Sequence, residues 1–207
     1  KRQLEGRFGL RVVEMTHTLA DADYLYKNPK ARADDLMQAF ADPSIKGIFS
    51  CIGGSDSVRL LPFIDLEVIR QNPKVFVGYS DTTVSHFFCQ AAGLVSFYGP
   101  AVMAGIPANG LGMVGFTGEA MRRALFDAAP MGEMLPNRDG WTARHLPWED
   151  EASFTTQTRP LMPATGPVCL QGNGRVSGRL IGGCVEVMEM IKGTAIWPAP
   201  ESWDETI

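Results

Sequence analysis

Residues 74–92 read KVFVGYSDTTVSHFFCQAA, an apolar run, a short polar turn and a second largely apolar run. The first run predicts a buried strand over 74–78, because continuous apolar segments of this length are typical of strands covered on both faces. The second run predicts a helix over 83–92. The turn at 79–81 therefore joins the end of a strand to the start of a helix.

The preceding segment has the same organisation. Residues 46–52 (KGIFSCI) predict a strand, Gly53-Gly54 a turn and residues 57–64 a helix that Pro62 shortens. Strands that alternate with helices predict right-handed crossovers and a parallel sheet, with function at the carboxyl ends of the strands. We therefore expect an α/β fold, a Rossmann-like layered parallel sheet with flanking helices, in which the two turns lie near each other.

The other predicted elements flank these two units. They are strands over 10–15, 94–98 and 175–181 and helices over 30–40, 119–128 and 184–191. A stretch over 130–167 that is rich in proline and polar residues predicts a loop-rich excursion. We expect residues 1–200 to form one nucleophile-bearing domain that includes this excursion, and residues 201–207 to begin the linker or strand to a further C-terminal domain.

Composition narrows the classes of function. The 207 residues have a net charge of -4 and a pI near 5.4, so no broad cationic field attracts nucleic acid or anionic lipid. Prolines and glycines interrupt the longest uncharged stretch, 82–118, and exclude a membrane-spanning helix there. The cysteines lack CxxC spacing and the histidines are scattered, so we expect reduced thiols, a cytoplasmic protein, and neither metal nor cofactor.

The turn after the 74–78 strand has the position of a nucleophile elbow, which exposes a serine hydroxyl between a strand and a helix. Its sequence, Gly78-Tyr79-Ser80-Asp81-Thr82, departs from G-x-S-x-G because Thr82 replaces the last glycine. The alternative is that one of its polar side chains merely caps the helix that follows. Spacing alone favours this structural interpretation.

The glycine pair at 53–54 also allows two interpretations. Its backbone amides and that of Asp81 are placed to converge on one developing negative charge, as in an oxyanion hole. The alternative is a cradle for a phosphate or carboxylate at a helix N-terminus, or a plain tight turn. Neither a Walker A motif nor G-x-G-x-x-G is present.

A serine nucleophile needs a base, and the chain contains only His17, His86 and His145. His86 lies nearly two helical turns beyond Ser80, so we expect it to be packed rather than catalytic. The other two histidines lie in loop-like segments with no carboxylate at a suggestive spacing. Two helical glutamates, Glu186 and Glu189, face solvent by default, although one of them could face a pocket.

Four segments, taken in order, point to a family. They are RADDLMQAFADPSIKGIFSCIGGSDSVRLLPFID, NPKVFVGYSDTT, GLVSFYGPAVM and GRLIGGCVEVMEMIKGTAIWP. Together they resemble the LD-carboxypeptidase family of serine peptidases, including its microcin C self-immunity branch, over residues 31–198 with a weak gap at the excursion. The resemblance implies a Ser-His-Glu triad with Ser80 as nucleophile and oxyanion amides on Gly54 and Asp81. It also implies substrate contacts at Gly53 and Ser55.

The resemblance further implies that this chain is one part of a larger peptidase. The family's glutamate and histidine lie in a C-terminal domain that this sequence does not contain. Without them Ser80 stays a neutral alcohol, so the isolated chain is expected to be nearly inactive. We also expect a homodimer, because apolar surface meant for a missing domain pairs readily with a second copy.

The segment around the glycine pair indicates a branch of the family. Ile52 precedes the pair and Ser55-Asp56-Ser57 follow it, whereas the murein enzymes usually have an arginine before and an aromatic residue after. This favours the microcin-immunity branch, which cuts the amide between an amino acid and a sulfamoyl or phosphoramide adenosine. Trp148 is then a candidate for stacking on the nucleobase. We therefore expect a small peptide or aminoacyl-nucleotide substrate.

Two other functions stay open from the sequence. One is a murein tetrapeptide LD-carboxypeptidase of cell-wall recycling. The other, from a different class, is a non-catalytic module that binds a carboxylate or a nucleotide at the strand ends. Tight binding without turnover distinguishes the module from both enzymes.

Overall fold

The computed structural model describes residues 1–106, 113, 115–144, 146–147, 149–150, 152–155, 157, 159–172 and 177–199. They form two compact units. The described residues of Lys1–Val12 and Val102–Arg175 form the first unit, and those of Val13–Ala101 and Val176–Ile207 form the second. The second unit contains the sheet and both of the turns that the sequence singles out.

The sheet has three parallel strands, β1 (Gly47–Phe49), β2 (Val75–Gly78) and β3 (Phe97–Tyr98). They lie in the order β1-β2-β3, so the strand that precedes the serine turn is central. Ile48 pairs with Phe76, and Val77 pairs with Phe97. The predicted α/β fold with a parallel sheet is confirmed.

Eight α-helices occur among the described residues. They are α1 (Arg2–Phe8), α2 (Ala22–Lys27), α3 (Pro29–Ala41), α4 (Leu66–Gln71), α5 (Thr83–Ala91), α6 (Gly115–Leu125), α7 (Ala152–Thr155) and α8 (Val185–Ile191). Ser57–Phe63 and Ser80–Thr82 form 3-10 helices, and the first of these contains Pro62, whose missing N–H does not suit an α-helix interior. The starts of α2 and α4 are capped by Asp21 and Asp65.

The core of the sheet unit is built around α5. Val84, Phe87 and Phe88 of this helix are almost completely buried. Phe87 stacks on Trp197 with ring centroids 5.6 Å apart. This packing fixes α5 firmly, and with it the turn at its N-terminus.

Two of the predicted strands are wrong in the described part of the chain. Residues 10–15 and 177–181 have no regular secondary structure. Each segment also exposes an apolar side chain to solvent: Val13 is 46% exposed and Leu180 is 96% exposed. A strand needs a neighbour for its backbone groups, and no described strand pairs with either segment.

The first unit packs α1 against α6. The rings of Phe8 and Phe126 stack with centroids 5.1 Å apart, and the Arg7 guanidinium donates to the Met113 carbonyl over 3.2 Å. Helix α6 begins four residues earlier than the predicted 119–128 helix. In the excursion, the described residues hold one short helix, α7, and an antiparallel bridge between Trp141 and Met162. None of the described helices is both long and apolar enough to cross a membrane.

Candidate active site

Ser80 lies two residues after the end of β2, in a strained backbone conformation. Its φ of 61° is the only positive φ of a non-glycine residue in the described ranges. For an L-residue this conformation costs on the order of 1–3 kcal/mol and is concentrated at functional sites. A half-buried serine on such a turn, with α5 following, has the geometry of a nucleophile elbow.

The glycine turn after β1 packs directly on this elbow. A Cβ added to Gly53 would lie 2.9 Å from Ser80 Cβ, 3.0 Å from Ser80 Oγ and 3.3 Å from the Asp81 amide nitrogen. A side chain at position 53 would clash with Ser80, so this position requires glycine for steric reasons. Gly54 has a φ of +154°, which L side chains rarely adopt. The structure therefore brings together Gly53, Ser80 and the backbone of Asp81, as their strand ends predict.

The carboxylate of Asp81 fastens the two turns to each other. This side chain is fully buried, and its Oδ2 accepts hydrogen bonds from the Ser57 hydroxyl at 2.6 Å, the Ser57 amide at 2.9 Å and the Asp56 amide at 3.1 Å. Its Oδ1 has no hydrogen-bond partner among the described residues. The sequence predicts a role for the amide of Asp81 but not for its carboxylate.

Helix α3 supports the same loop through an ion pair. Arg32 Nη1 lies 2.7 Å from Asp56 Oδ1, and its Nη2 donates to Ser57 Oγ over 3.2 Å. Arg59 approaches the other oxygen of Asp56 at 3.5 Å. Two cations thus hold the segment that carries the glycine pair. Ser55, between that pair and Asp56, is exposed.

Comparison with known proteins identifies the family of this chain. The family model described as the LD-carboxypeptidase N-terminal domain matches residues 1–99. YocD of Bacillus subtilis is 32% identical over 197 residues, which are 94% of this chain and 57% of YocD. The chain belongs to the LD-carboxypeptidase family.

The chain is also similar to microcin immunity proteins. The microcin C7 self-immunity protein MccF of Escherichia coli is 34% identical over 177 residues, 82% of this chain and 48% of MccF. The structure of MccF with aspartyl sulfamoyl adenosine aligns with a TM-score of 0.78 at 30% identity, over 96% of this chain and 58% of that one. The structure of an MccF-like protein from Streptococcus pneumoniae in complex with AMP aligns with a TM-score of 0.84 at 27% identity. This alignment covers 98% of this chain and 62% of that one. The chain spans about half the length of these curated relatives, 48% of MccF and 57% of YocD.

His86 is a structural histidine. It is 6% exposed, and both ring nitrogens are occupied, Nε2 with the Gly78 carbonyl at 2.9 Å and Nδ1 with Ser96 Oγ at 2.8 Å. A carbonyl can only accept, so Nε2 carries the proton and Nδ1 accepts from the serine hydroxyl. The ring therefore fixes the end of β2 and is not available as a base for Ser80.

Burial lowers the pKa of His86 below its ordinary value of 6.5, although the bond to Gly78 opposes this shift. Between the lowered pKa and 6.5 the unfolded chain binds a proton that the folded chain does not. We therefore expect the free energy of unfolding to fall as the pH drops below about 6.5, by up to about 1.4 kcal/mol per pH unit. Urea unfolding at pH 7.5 and pH 5.5 measures this loss. His86→Gln, which cannot titrate, should lose less stability over the same interval, and an equal loss in both proteins would contradict the assignment.

The other polar candidates are arranged differently. His17 has a carboxylate partner on α3: its Nδ1 lies 3.0 Å from Asp35 Oδ1. The residues next to His17 in the sequence do not indicate this contact. The Glu186 carboxylate accepts from the Cys184 thiol, which lowers the pKa of Glu186, and Glu189 pairs with Lys192. Both glutamates are exposed, as expected for the solvent face of α8.

Two further sequence candidates, His145 and Trp148, lie outside the described residues. No group of three or more potential metal-binding side chains occurs in the part of the chain that the structure describes. Among those residues, no imidazole hydrogen-bonds to the Ser80 hydroxyl.

Proposed function

We propose that this chain carries the nucleophile and the oxyanion hole of a serine carboxypeptidase-type hydrolase, with Ser80 as the attacking residue. The strained φ of Ser80, at the end of the central strand, is the observation that carries the proposal. The close approach of the glycine turn supports it, because a Cβ at position 53 would lie 3.0 Å from Ser80 Oγ and crowd the hydroxyl.

The proposed reaction proceeds through an acyl-enzyme. A histidine takes the proton of Ser80, and the hydroxyl oxygen attacks the carbonyl carbon of the substrate amide. The amides of Gly54 and Asp81 stabilise the oxyanion, the C–N bond breaks, and the histidine returns the proton to the leaving nitrogen. Water then attacks the ester by the reverse sequence of proton transfers. The products are a free carboxylic acid and the regenerated Ser80 hydroxyl.

The base is proposed to lie in residues that follow this chain in the full-length protein. Both ring nitrogens of His86 are bonded within the fold, and Nδ1 of His17 faces Asp35. A C-terminal domain with the family's histidine and glutamate would complete the triad. On this proposal the 207-residue chain alone has very low activity, although it contains the nucleophile.

The proposed substrate is an aminoacyl nucleotide analogue in which an amide joins an amino acid to a sulfamoyl or phosphoramide adenosine. The structures of MccF with aspartyl sulfamoyl adenosine and of its Streptococcus pneumoniae relative with AMP support this class. The polar Ser55-Asp56-Ser57 segment beside the glycine pair also supports it, since the family resemblance implies an aromatic residue at this place in the murein enzymes.

Incubation of the full-length protein with aspartyl sulfamoyl adenosine tests the proposal. Hydrolysis should consume one water and release aspartate and sulfamoyl adenosine, both measured by chromatography and mass. A murein tetrapeptide serves as the comparison substrate, and the 207-residue chain as the control without the proposed base. Cleavage of the tetrapeptide alone would reassign the substrate to murein. Tight binding of the nucleotide without cleavage of either compound would favour the binding module.

A further inference from the structure

Side-chain hydroxyls hold the backbone of Ser80 on both sides. The Ser80 N–H donates to Tyr98 Oη over 2.9 Å, and the Ser80 carbonyl accepts from Thr83 Oγ1 over 2.6 Å. Thr83 Oγ1 also accepts from the Cys184 N–H over 2.9 Å. A hydroxyl can donate once and accept at the same time. A continuous relay of hydrogen bonds therefore runs from the start of α8 to the elbow.

This relay depends on a close approach of the turn before α8. A Cβ added to Gly183 would lie 2.4 Å from Thr83 Cγ2 and 2.8 Å from Thr83 Oγ1, which is closer than such atoms normally come. Thr83 is fully buried, so a shift of its side chain would displace the residues packed around it. Glycine at position 183 is therefore what allows the amide of Cys184 to reach the hydroxyl.

The two hydroxyls act on a backbone that would otherwise relax. An L-residue keeps a φ of 61° only when its surroundings fix it, and Ser80 has no glycine-like freedom there. A change of φ to the usual negative range would reorient the Ser80 N–H and move its Oγ away from Gly53. The bonds from Tyr98 and Thr83 oppose that change directly, since each holds one polar group of the Ser80 backbone.

We propose that Tyr98 and Thr83 are positioning residues for the Ser80 nucleophile and form a hydroxyl clamp that the Gly183-Cys184 backbone supports from α8. The inference rests on the proposed function of Ser80. The clamp acts on the geometry of the nucleophile and not on the substrate. Its loss is therefore expected to lower kcat and to leave KM nearly unchanged.

Tyr98→Phe and Thr83→Val in the full-length protein test the clamp, because each removes one hydroxyl and keeps the shape of the side chain. We expect kcat with aspartyl sulfamoyl adenosine to fall at least about tenfold in each, with KM within about threefold, since small displacements of reacting groups are costly. Thr83→Ser, which keeps the hydroxyl, should recover most of the rate. Gly183→Ala should also lower kcat, because the added methyl group would push Thr83 away from the Cys184 amide.

Two control variants make the same substitutions, threonine to valine and tyrosine to phenylalanine, at positions away from the elbow. Thr194 also donates its hydroxyl to the carbonyl three residues earlier, that of Ile191, over 2.7 Å, and Tyr26 is 62% exposed on α2. Thr194→Val and Tyr26→Phe should leave kcat unchanged. Unchanged kcat in Tyr98→Phe and Thr83→Val, or a Thr83→Ser variant as slow as Thr83→Val, would overturn the clamp.

Hydrogen exchange of the Ser80 amide, followed by NMR, gives a readout that needs no turnover. Tyr98→Phe should speed exchange at this amide at least about tenfold, while the amides of β2 keep their protection. Unchanged exchange at Ser80 would overturn the clamp even in an active enzyme. Faster exchange at Ser80 in Tyr98→Phe, together with a wild-type protein that hydrolyses neither substrate, would support the clamp and overturn the proposed hydrolase.

Discussion

Ser80→Ala is expected to lower kcat/KM of the full-length protein by at least about 10⁴-fold, while the protein stays folded. In the proposed reaction this hydroxyl forms the acyl-enzyme, and loss of a serine nucleophile typically costs this much or more. Alanine also fits the space at Gly53, because it removes Oγ and keeps Cβ. Hydrolysis of aspartyl sulfamoyl adenosine and labelling by a fluorophosphonate measure the loss.

Ser44→Ala is the matched control for this variant. Ser44 is exposed and precedes β1, so it lies at the amino ends of the strands, opposite the edge that carries Ser80. The Ser44→Ala variant should hydrolyse aspartyl sulfamoyl adenosine, and react with the fluorophosphonate, as the wild type does. Activity retained in Ser80→Ala, or a fluorophosphonate label found on another serine, would show that Ser80 is not the nucleophile.

Asp81→Ala is expected to damage stability and activity together. It leaves three donors of Asp56 and Ser57 without their acceptor, at a fully buried position. We expect a loss of about 3 kcal/mol in the free energy of unfolding, because each buried donor without a partner is costly. Activity should fall about 100-fold, since the loop with the glycine pair is no longer fastened to the elbow. Urea unfolding and substrate hydrolysis measure the two effects.

Asp81→Asn separates the hydrogen bonds from the volume of the side chain. Its amide oxygen can replace Oδ2 as acceptor, so both losses should be smaller than in Asp81→Ala. Asp34→Ala is the control for removing a carboxylate, because Asp34 forms an exposed ion pair with Lys30. Equal effects of Asp81→Ala and Asp34→Ala would rule out the fastening role of Asp81.

The parts of the fold that the sequence predicts well are those that carry their own signal. The buried strand before Ser80 and the helix after it are continuous apolar runs, and α8 keeps Val187 and Ile191 on one buried face. The segments at 10–15 and 177–181 have strand composition, but a strand also needs a partner, which composition does not reveal. The six-residue helices α2 and α4 were not predicted, although an aspartate cap begins each.

The candidate site divides in the same way. Ser80 and the glycine pair follow from their positions at the ends of neighbouring strands. The carboxylate of Asp81, the Tyr98 hydroxyl and the Thr83 hydroxyl act through contacts between distant parts of the chain. Thr83 and Cys184, for example, are 101 positions apart. No local pattern marks such a pair, so only the folded structure reveals it.

The central place of β2 links reactivity to the order of folding. Gly53 lies in the turn after β1, on one side of β2, Tyr98 belongs to β3 on the other side, and Cys184 comes from far along the chain. Contacts of such different sequence separation form late, because each requires the closure of its own loop. In a nascent or partly unfolded chain Ser80 is therefore an ordinary serine, and its strained conformation is acquired only when all three strands and α8 have assembled.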